Sequence, residues 1–389
     1  MLEGTLLVLL LLPVAAASGW YLRGRAQSPE EAPPAVHPDY LRGISHLVNE
    51  DSDKAIEVFV RLLEVDNETV ETHLALGNLF RRQGEVDRAL RVHQNLVARP
   101  NLKPIHRNQA RFELAQDYLR AGVLDRAENL FRELVEQGMF LERALSGLVT
   151  IYEQERDWEQ AVTTTRKLES VRGHSLRPII AQYYCELADD ARQSKNIDAA
   201  QKFLKSARSE FRECVRASLI SGEIAEAGED WRAAIKAYQQ VPKQDIEFAT
   251  EILKPLERCY SALEDMQGYQ RFLENLSKRY EGAAPHVALA KLFQRQDDSD
   301  GAIMHLSDYV QETPNWIGFH YLLELTCSDT PSNLSGPLDS LRESLRQVIE
   351  RQATYLCGQC GFSGRYRHWQ CPSCKQWNTI APVRDVSPA

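Results

Sequence analysis

The stretch GNLFRRQGEVDRAL, Gly77 to Leu90, sets a frame: a small residue, an aromatic three positions on, a glycine at a turn, and an alanine twelve positions after the start. The frame returns along the chain. Gly43 leads to Ala55, Ala115 to Ala127, Ala188 to Ala200, Gly222 to Ala234 and Ala290 to Ala302, with Val149 to Ala161 and Leu256 to Gly268 as weaker copies. From each second residue to the next (55, 89, 127, 161, 200, 234, 268, 302) the steps are 34, 38, 34, 39, 34, 34 and 34. Aromatics follow the first small residue at Phe80, Tyr118, Tyr152 and Phe293, and the second at Phe59, Phe131, Tyr238 and Phe272. Gly84 and Gly122 fall at the turns.

A 34-residue period of this kind is the signature of the tetratricopeptide repeat, a helical hairpin. The small residues let the two helices of a hairpin approach closely, and the aromatics fill the space between hairpins. Each hairpin buries its apolar face only against its neighbours, so the array is expected to be an α-solenoid with a peptide-binding groove. A generic amphipathic bundle would not hold one register over eight copies. The solenoid is expected over residues 39–352, as about eight to nine hairpins, with the two long steps read as loop insertions before the third and fifth units. Trp316 to Leu325 and Leu338 to Arg351 read as a last, degenerate hairpin around a loop from Thr330 to Pro337.

Beyond the repeats, Cys357-x2-Cys360 and Cys371-x2-Cys374 are separated by ten residues. Two residues between thiolates let the chain turn back so that both sulfurs face one ion, and two such knuckles close a tetrahedral shell. Gly358, Gly361 and Pro372 ease the turns. The expected ion is iron or zinc, which share tetrathiolate ligation. A closed shell leaves no position for a substrate, which indicates structure or electron transfer. Disulfide pairing is the bland alternative and needs an oxidising compartment. Cys185, Cys214, Cys259 and Cys327 fall at scattered positions in helical segments and read as small buried apolar residues; Cys259 stands where Phe80 stands in its own unit.

The N-terminus argues for a reducing compartment. Gly4 to Leu22 carries no charge, and its 19 residues at about 1.5 Å each span roughly 28 Å, close to the thickness of a bilayer core. Only Glu3 and the terminal amine precede this run, whereas Arg23 and Arg25 follow it. The flanks favour an uncleaved anchor over residues 1–23, with the rest of the chain in the cytoplasm, over a cleaved signal ending near Ala15 to Ala17. Residues 24–38, with four prolines, read as a semi-extended linker. The N-x-S/T sequences at Asn67 and Asn333 then have no glycosylation meaning.

Catalytic signatures are absent: no G-x-S-x-G, HExxH, Walker A or dinucleotide fingerprint occurs. The run DDSDG, Asp297 to Gly301, lacks the spacing of a calcium loop and reads as a helix-capping turn. An enzyme is not expected. The whole chain carries −9, yet Arg351, Arg365, Arg367, Lys375 and Arg384 give the tail +5 with no acid among them. Phe362, Tyr366, Trp369 and Trp377 are interleaved with these cations. Such a ribbon could bind nucleic acid; packing of its aromatics on the last helices, closing the stack, is the preferred expectation.

These parts in this order resemble the lipopolysaccharide assembly protein B family of Gram-negative bacteria, over essentially the full length. The resemblance is carried by the N-terminal anchor, GNLFRRQGEVDRAL, YYCELA at Tyr183 to Ala188, and the tail CGQCGF with HWQCPSC. It implies a single-pass inner-membrane adaptor facing the cytoplasm that regulates lipopolysaccharide amount by promoting degradation of LpxC by the protease FtsH and by scaffolding other assembly proteins. It also implies a rubredoxin-type metal domain over 353–389, packed on the repeats, with Cys357, Cys360, Cys371 and Cys374 as ligands. Rubredoxin-like electron transfer and a nucleic-acid-binding ribbon are the competing functions. Nucleic acid is not the expected partner, and a homo-oligomer stays open.

Overall fold

The structure, a computed structural model, describes residues 70–326 and 332–383, together with 41–43, 45, 46, 54–56 and 58; for 332–336 only the helical backbone is described. The expected anchor and linker, Phe59 and Cys327 lie outside the described residues. Among the described residues no helix is long and apolar enough to cross a membrane. The chain divides into two compact units after Met139.

In the first unit, α1 (Val70–Arg82) pairs with α2 (Val86–Val97), and α3 (Pro104–Ala121) with α4 (Leu124–Glu136). Gly77 sits where α1 meets the His93 ring of α2; a Cβ there would come within 2.4 Å of His93 Nε2. His93 and Asp117 are fully buried and 2.5 Å apart, Asp117 also accepts from Arg81 at 2.7 Å, and Arg81 reaches Glu113. Buried charges are held only when paired in this way. The network ties α1, α2 and α3 together.

The second unit continues with α5 (Leu141–Glu155), α6 (Trp158–Arg172), α7 (Arg177–Gln193), α8 (Ile197–Glu210), α9 (Val215–Ala227) and α10 (Trp231–Tyr238). A one-turn helix α11 (Val241–Gln244) and a 3-10 turn (Ile246–Phe248) lead into α12 (Ala249–Ala262). Then come α13 (Met266–Ser277), α14 (Ala283–Arg295), α15 (Ser299–Glu312), α16 (Trp316–Thr326) and α17 (Ser332–Arg351). Three short strands close the chain: β1 (Tyr355–Cys357), β2 (Ser363–Gly364) and β3 (Ile380–Pro382), antiparallel in the order β2-β1-β3.

One device recurs at the hairpin turns. The residue before the second helix's cap has positive φ: Gly84 and Gly122 in the first unit, then Arg156, Lys195, Glu229, Glu264 and Asp297. Glycine takes this conformation freely, so Gly84 and Gly122 announce the turn, whereas the five others do not. In the second unit the next residue caps the helix. Asp157, Asn196, Asp230, Asp265 and Asp298 accept from the amides of Gln160, Ala199, Ala233, Gly268 and Gly301. Each cap contributes about 0.5–2 kcal/mol. The DDSDG run is such a capping turn.

Three sequence expectations need correction. The Asp265 cap places Tyr269, not Gly268, in the alanine position. Tyr269 and Leu273 are buried, while Gly268 and Phe272 are only half-buried, because the turn at Glu264 arrives one residue late. The long steps are not loop insertions alone: α3 and α7 run 18 and 17 residues, against 13 in α1 and α9. The last loop does not run to Pro337 as expected, since α17 begins at Ser332 and takes Pro337 inside it. The break after α10 was not foreseen either. Pro242 has no N–H to bond Tyr238, so the helix stops and the chain is redirected to Phe248.

Gly222 packs on Tyr238, where a Cβ would come within 2.3 Å of the ring. Gly222→Ala is therefore expected to lower the stability of the second unit by about 1–3 kcal/mol in urea denaturation.

Candidate metal centre

The two cysteine knuckles have the same backbone form. Gly361 N–H donates to Cys357 O at 3.0 Å, and Lys375 N–H to Cys371 O at 2.9 Å, with φ of 74° and 58°. Glycine was readable as a turn in the first knuckle; the second manages with a lysine. Together they bring Cys357, Cys360, Cys371 and Cys374 to one place, with all four sulfurs within 4.8 Å of one another. Cys357 Sγ lies 3.9 Å from Cys374 Sγ, and Cys360 Sγ 3.7 Å from Cys371 Sγ. Tetrahedral bonds of about 2.3 Å put sulfurs about 3.8 Å apart, so the quartet could hold one tetrathiolate ion.

The local electrostatics fit an ion. The Thr379 hydroxyl, 3.3 Å from Cys357 Sγ, and the backbone amides of Cys360 and Gln359 pull the Cys357 thiol down to about 6. The Phe362 amide likewise lowers Cys360. At Cys374 the Gln376 amide pulls down but is outweighed by burial and the three neighbouring sulfurs, which push its thiol up to about 11. Four thiolates at this spacing repel one another and need a cation to ionise together. Cys357 and Cys371 are buried, Cys374 is half-buried and Cys360 is exposed, so the site has one edge toward solvent.

Around this quartet the ribbon is fastened mainly to the first helices of several hairpins, with Trp158 at the start of α6 and Phe248 in the 3-10 turn beside them. Trp377 meets the Trp158 and Tyr183 rings edge-on, with centroids 6.2 and 5.7 Å away. Glu153 of α5 accepts from Trp377 Nε1 at 2.7 Å, from Gln370 at 3.1 Å and from the Tyr183 hydroxyl at 2.5 Å. Burial and the Glu153 charge raise the Tyr183 pKa, which keeps the phenol a donor. Gln182 of α7 donates to Asn378 at 2.6 Å. Trp369 stacks on Phe248 at 5.6 Å and lies under Arg216 and Arg367. Arg367 pairs with Glu251 of α12 at 2.7 Å, and Tyr355 donates to the same carboxylate. Trp369 and Ala381 pack against the cluster of buried residues built from α9 to α14.

The ribbon therefore docks on α5, α7, α9 and α12, not on the last helices as expected. The physical reason is complementarity. Its large aromatics find rings and carboxylates at Trp158, Tyr183, Glu153, Phe248 and Glu251, while among the described residues α17 offers a backbone acceptor, Glu350 O, to Arg365. Two of the four aromatics that a base could stack on, Trp369 and Trp377, are occupied in this way. Tyr366 remains 79% exposed.

Sequence reading missed Glu153, Gln182, Arg216 and Glu251. The available signal was a charged or amide residue among the buried positions of a first helix: Gln182 and Arg216 are both buried. It also treated the helical cysteines as scattered. Cys259 is buried alone, but Cys185 and Cys214 come within 3.7 Å of each other, both buried. Burial pushes the Cys185 thiol up, and its contact with Cys185 lowers Cys214.

Residues 355–382 match the rubredoxin metal binding domain family, and residues 40–100 and 185–246 match the tetratricopeptide repeat family. Lipopolysaccharide assembly protein B of Escherichia coli strain K12 is 34% identical over 383 residues, covering 98% of each chain. The chain belongs to the lipopolysaccharide assembly protein B family. The Haemophilus influenzae member is 33% identical over 389 residues, covering 97% of this chain and 98% of its own. A crystal structure of MamA aligns with 44% of this chain and 95% of its own, at 19% identity and a TM-score of 0.34.

Trp377→Ala removes the indole between Trp158 and Tyr183 and one donor to Glu153. It is expected to weaken docking by about 3–5 kcal/mol, the usual cost of such a truncation. Limited proteolysis should then cut the connection at residues 352–354, while elemental analysis shows unchanged metal content.

Proposed function

We propose that the chain is a membrane-tethered adaptor in lipopolysaccharide assembly, and that Cys357, Cys360, Cys371 and Cys374 hold one iron or zinc ion with a structural role. The observation that carries this reading is the docking of the ribbon, through Trp377, Trp369 and Arg367, on four separate repeat helices. A ribbon whose two tryptophans are spent inward acts as a clamp on a scaffold. Bound there, the ion supplies the crosslink that a 28-residue ribbon with so small a core lacks. Family membership at 34% identity over nearly the whole chain, and the names of its relatives, support the pathway.

On this reading the repeats and ribbon hold partners side by side without chemistry of their own. The partners are the protease FtsH and its substrate LpxC, with other assembly proteins. Residues 1–23 span the inner membrane and keep the rest at its cytoplasmic face. Tethering raises the effective concentration of membrane-bound partners, which an adaptor of modest affinity requires.

The adaptor reading is tested by the half-life of LpxC after removal of the chain. LpxC should persist and lipopolysaccharide should rise, and Cys357→Ser or Cys371→Ser should behave like removal, since thiolates at one ion act together. An unchanged LpxC half-life contradicts the FtsH mechanism. The structural role of the ion is tested by refolding with zinc or with iron: both should restore regulation equally, whereas activity with iron alone would favour electron transfer.

A further inference from the structure

Between α8, α9 and α10 lies a cleft of about 1140 Å³. Lys202, Lys205, Arg208, Arg212 and Lys236 line it, against a single acid, Asp198. This inverts the charge of a chain that carries −9 overall. Arg208 donates to Ser221 at 2.7 Å, and among the described residues none of the five cations pairs with a carboxylate. Lys202, Lys205 and Arg208 follow one another at single-turn spacing along α8, where like charges oppose helix stability. An occupant of opposite charge removes that opposition.

The floor differs from the rim. Leu204 and Ile224 are buried there, with Ala225 and Ala237 half-buried. A flat headgroup layer reaches such a rim but not the floor, and a lone phosphate fills little of the space. Among the described residues, none of the ribbon's partners named above lines the cleft, so both surfaces can be engaged together.

We propose that this cleft docks an acidic amphipathic helix of a partner protein, with its apolar face on the half-buried Ala225 and Ala237 and its carboxylates against the lysine and arginine rim. Such helix-in-groove docking combines apolar anchors with charge selection. The inference rests on the adaptor reading only in giving one partner a place to bind. The assay below is blind to lipopolysaccharide, so either can fail without the other.

The test is fluorescence anisotropy of the full chain in detergent with a labelled synthetic helix that carries leucine on one face and glutamate on the other. Binding should saturate, weaken between about 50 and about 300 mM salt, and fall at least about tenfold in Lys202→Glu/Lys205→Glu. That variant should keep its metal content and melting temperature, since both side chains are exposed. A control helix with lysine in place of glutamate should not bind. Equal binding by the double variant, equal binding of the lysine helix, or no binding of the acidic helix overturns the proposal. So does binding of inositol hexakisphosphate, with the same charge-reversal sensitivity, by a protein that ignores the helix.

Discussion

Glu153 is the carboxylate on which the second unit turns. It sits on the first helix of a hairpin, yet it accepts from Trp377 and Gln370 of the ribbon and from Tyr183 two helices on. Three donors around one half-buried carboxylate offset the cost of its partial desolvation, and each donor is thereby fixed in place. Trp377 can be so fixed only while the ribbon holds its shape, and the ribbon's core is little more than Tyr355, Cys357, Cys371 and Ile380. That core is too small to fold a module by hydrophobic burial alone. The cysteine quartet and the docking surface therefore support each other.

The same logic explains the irregular stretch after α10. A regular repeat would have carried α10 further. Pro242 stops it, and the 3-10 turn that follows presents Phe248 beneath Trp369 and leads into Glu251 beneath Arg367. The departure from the repeat is located where the ribbon needs its second anchor. The five non-glycine residues at positive φ in the hairpin turns of the second unit are departures of another kind: the cap that follows each of them stabilises the turn and offsets the strain.

What could be read in the sequence follows from the range of the interaction. The 34-residue frame and the C-x2-C knuckles are local patterns, and the hairpins and the clustered sulfurs follow them. The frame slipped at Gly268 because a glycine looked like the small residue required there, while Tyr269 carries the packing. The aromatic packing of the ribbon is readable, but the sequence points it to the last helices rather than to α5, α7, α9 and α12. Trp377 and Glu153 are 224 residues apart, and no spacing rule links them. Cys185 and Cys214 are buried as expected, but their pairing is unreadable for the same reason, since the α7–α8 hairpin brings Cys185 of α7 beside Cys214 at the start of α9.

The central claim is that the metal-bearing ribbon clamps the repeat helices from α5 to α12. Hydrogen–deuterium exchange before and after removal of the ion with a chelator tests it most directly. Faster exchange is expected in α5, α7 and the start of α12, with α14 and α15 unchanged. Loss of the ion with no change in α5, α7 and α12 would contradict the clamp and leave the ribbon a passive appendage.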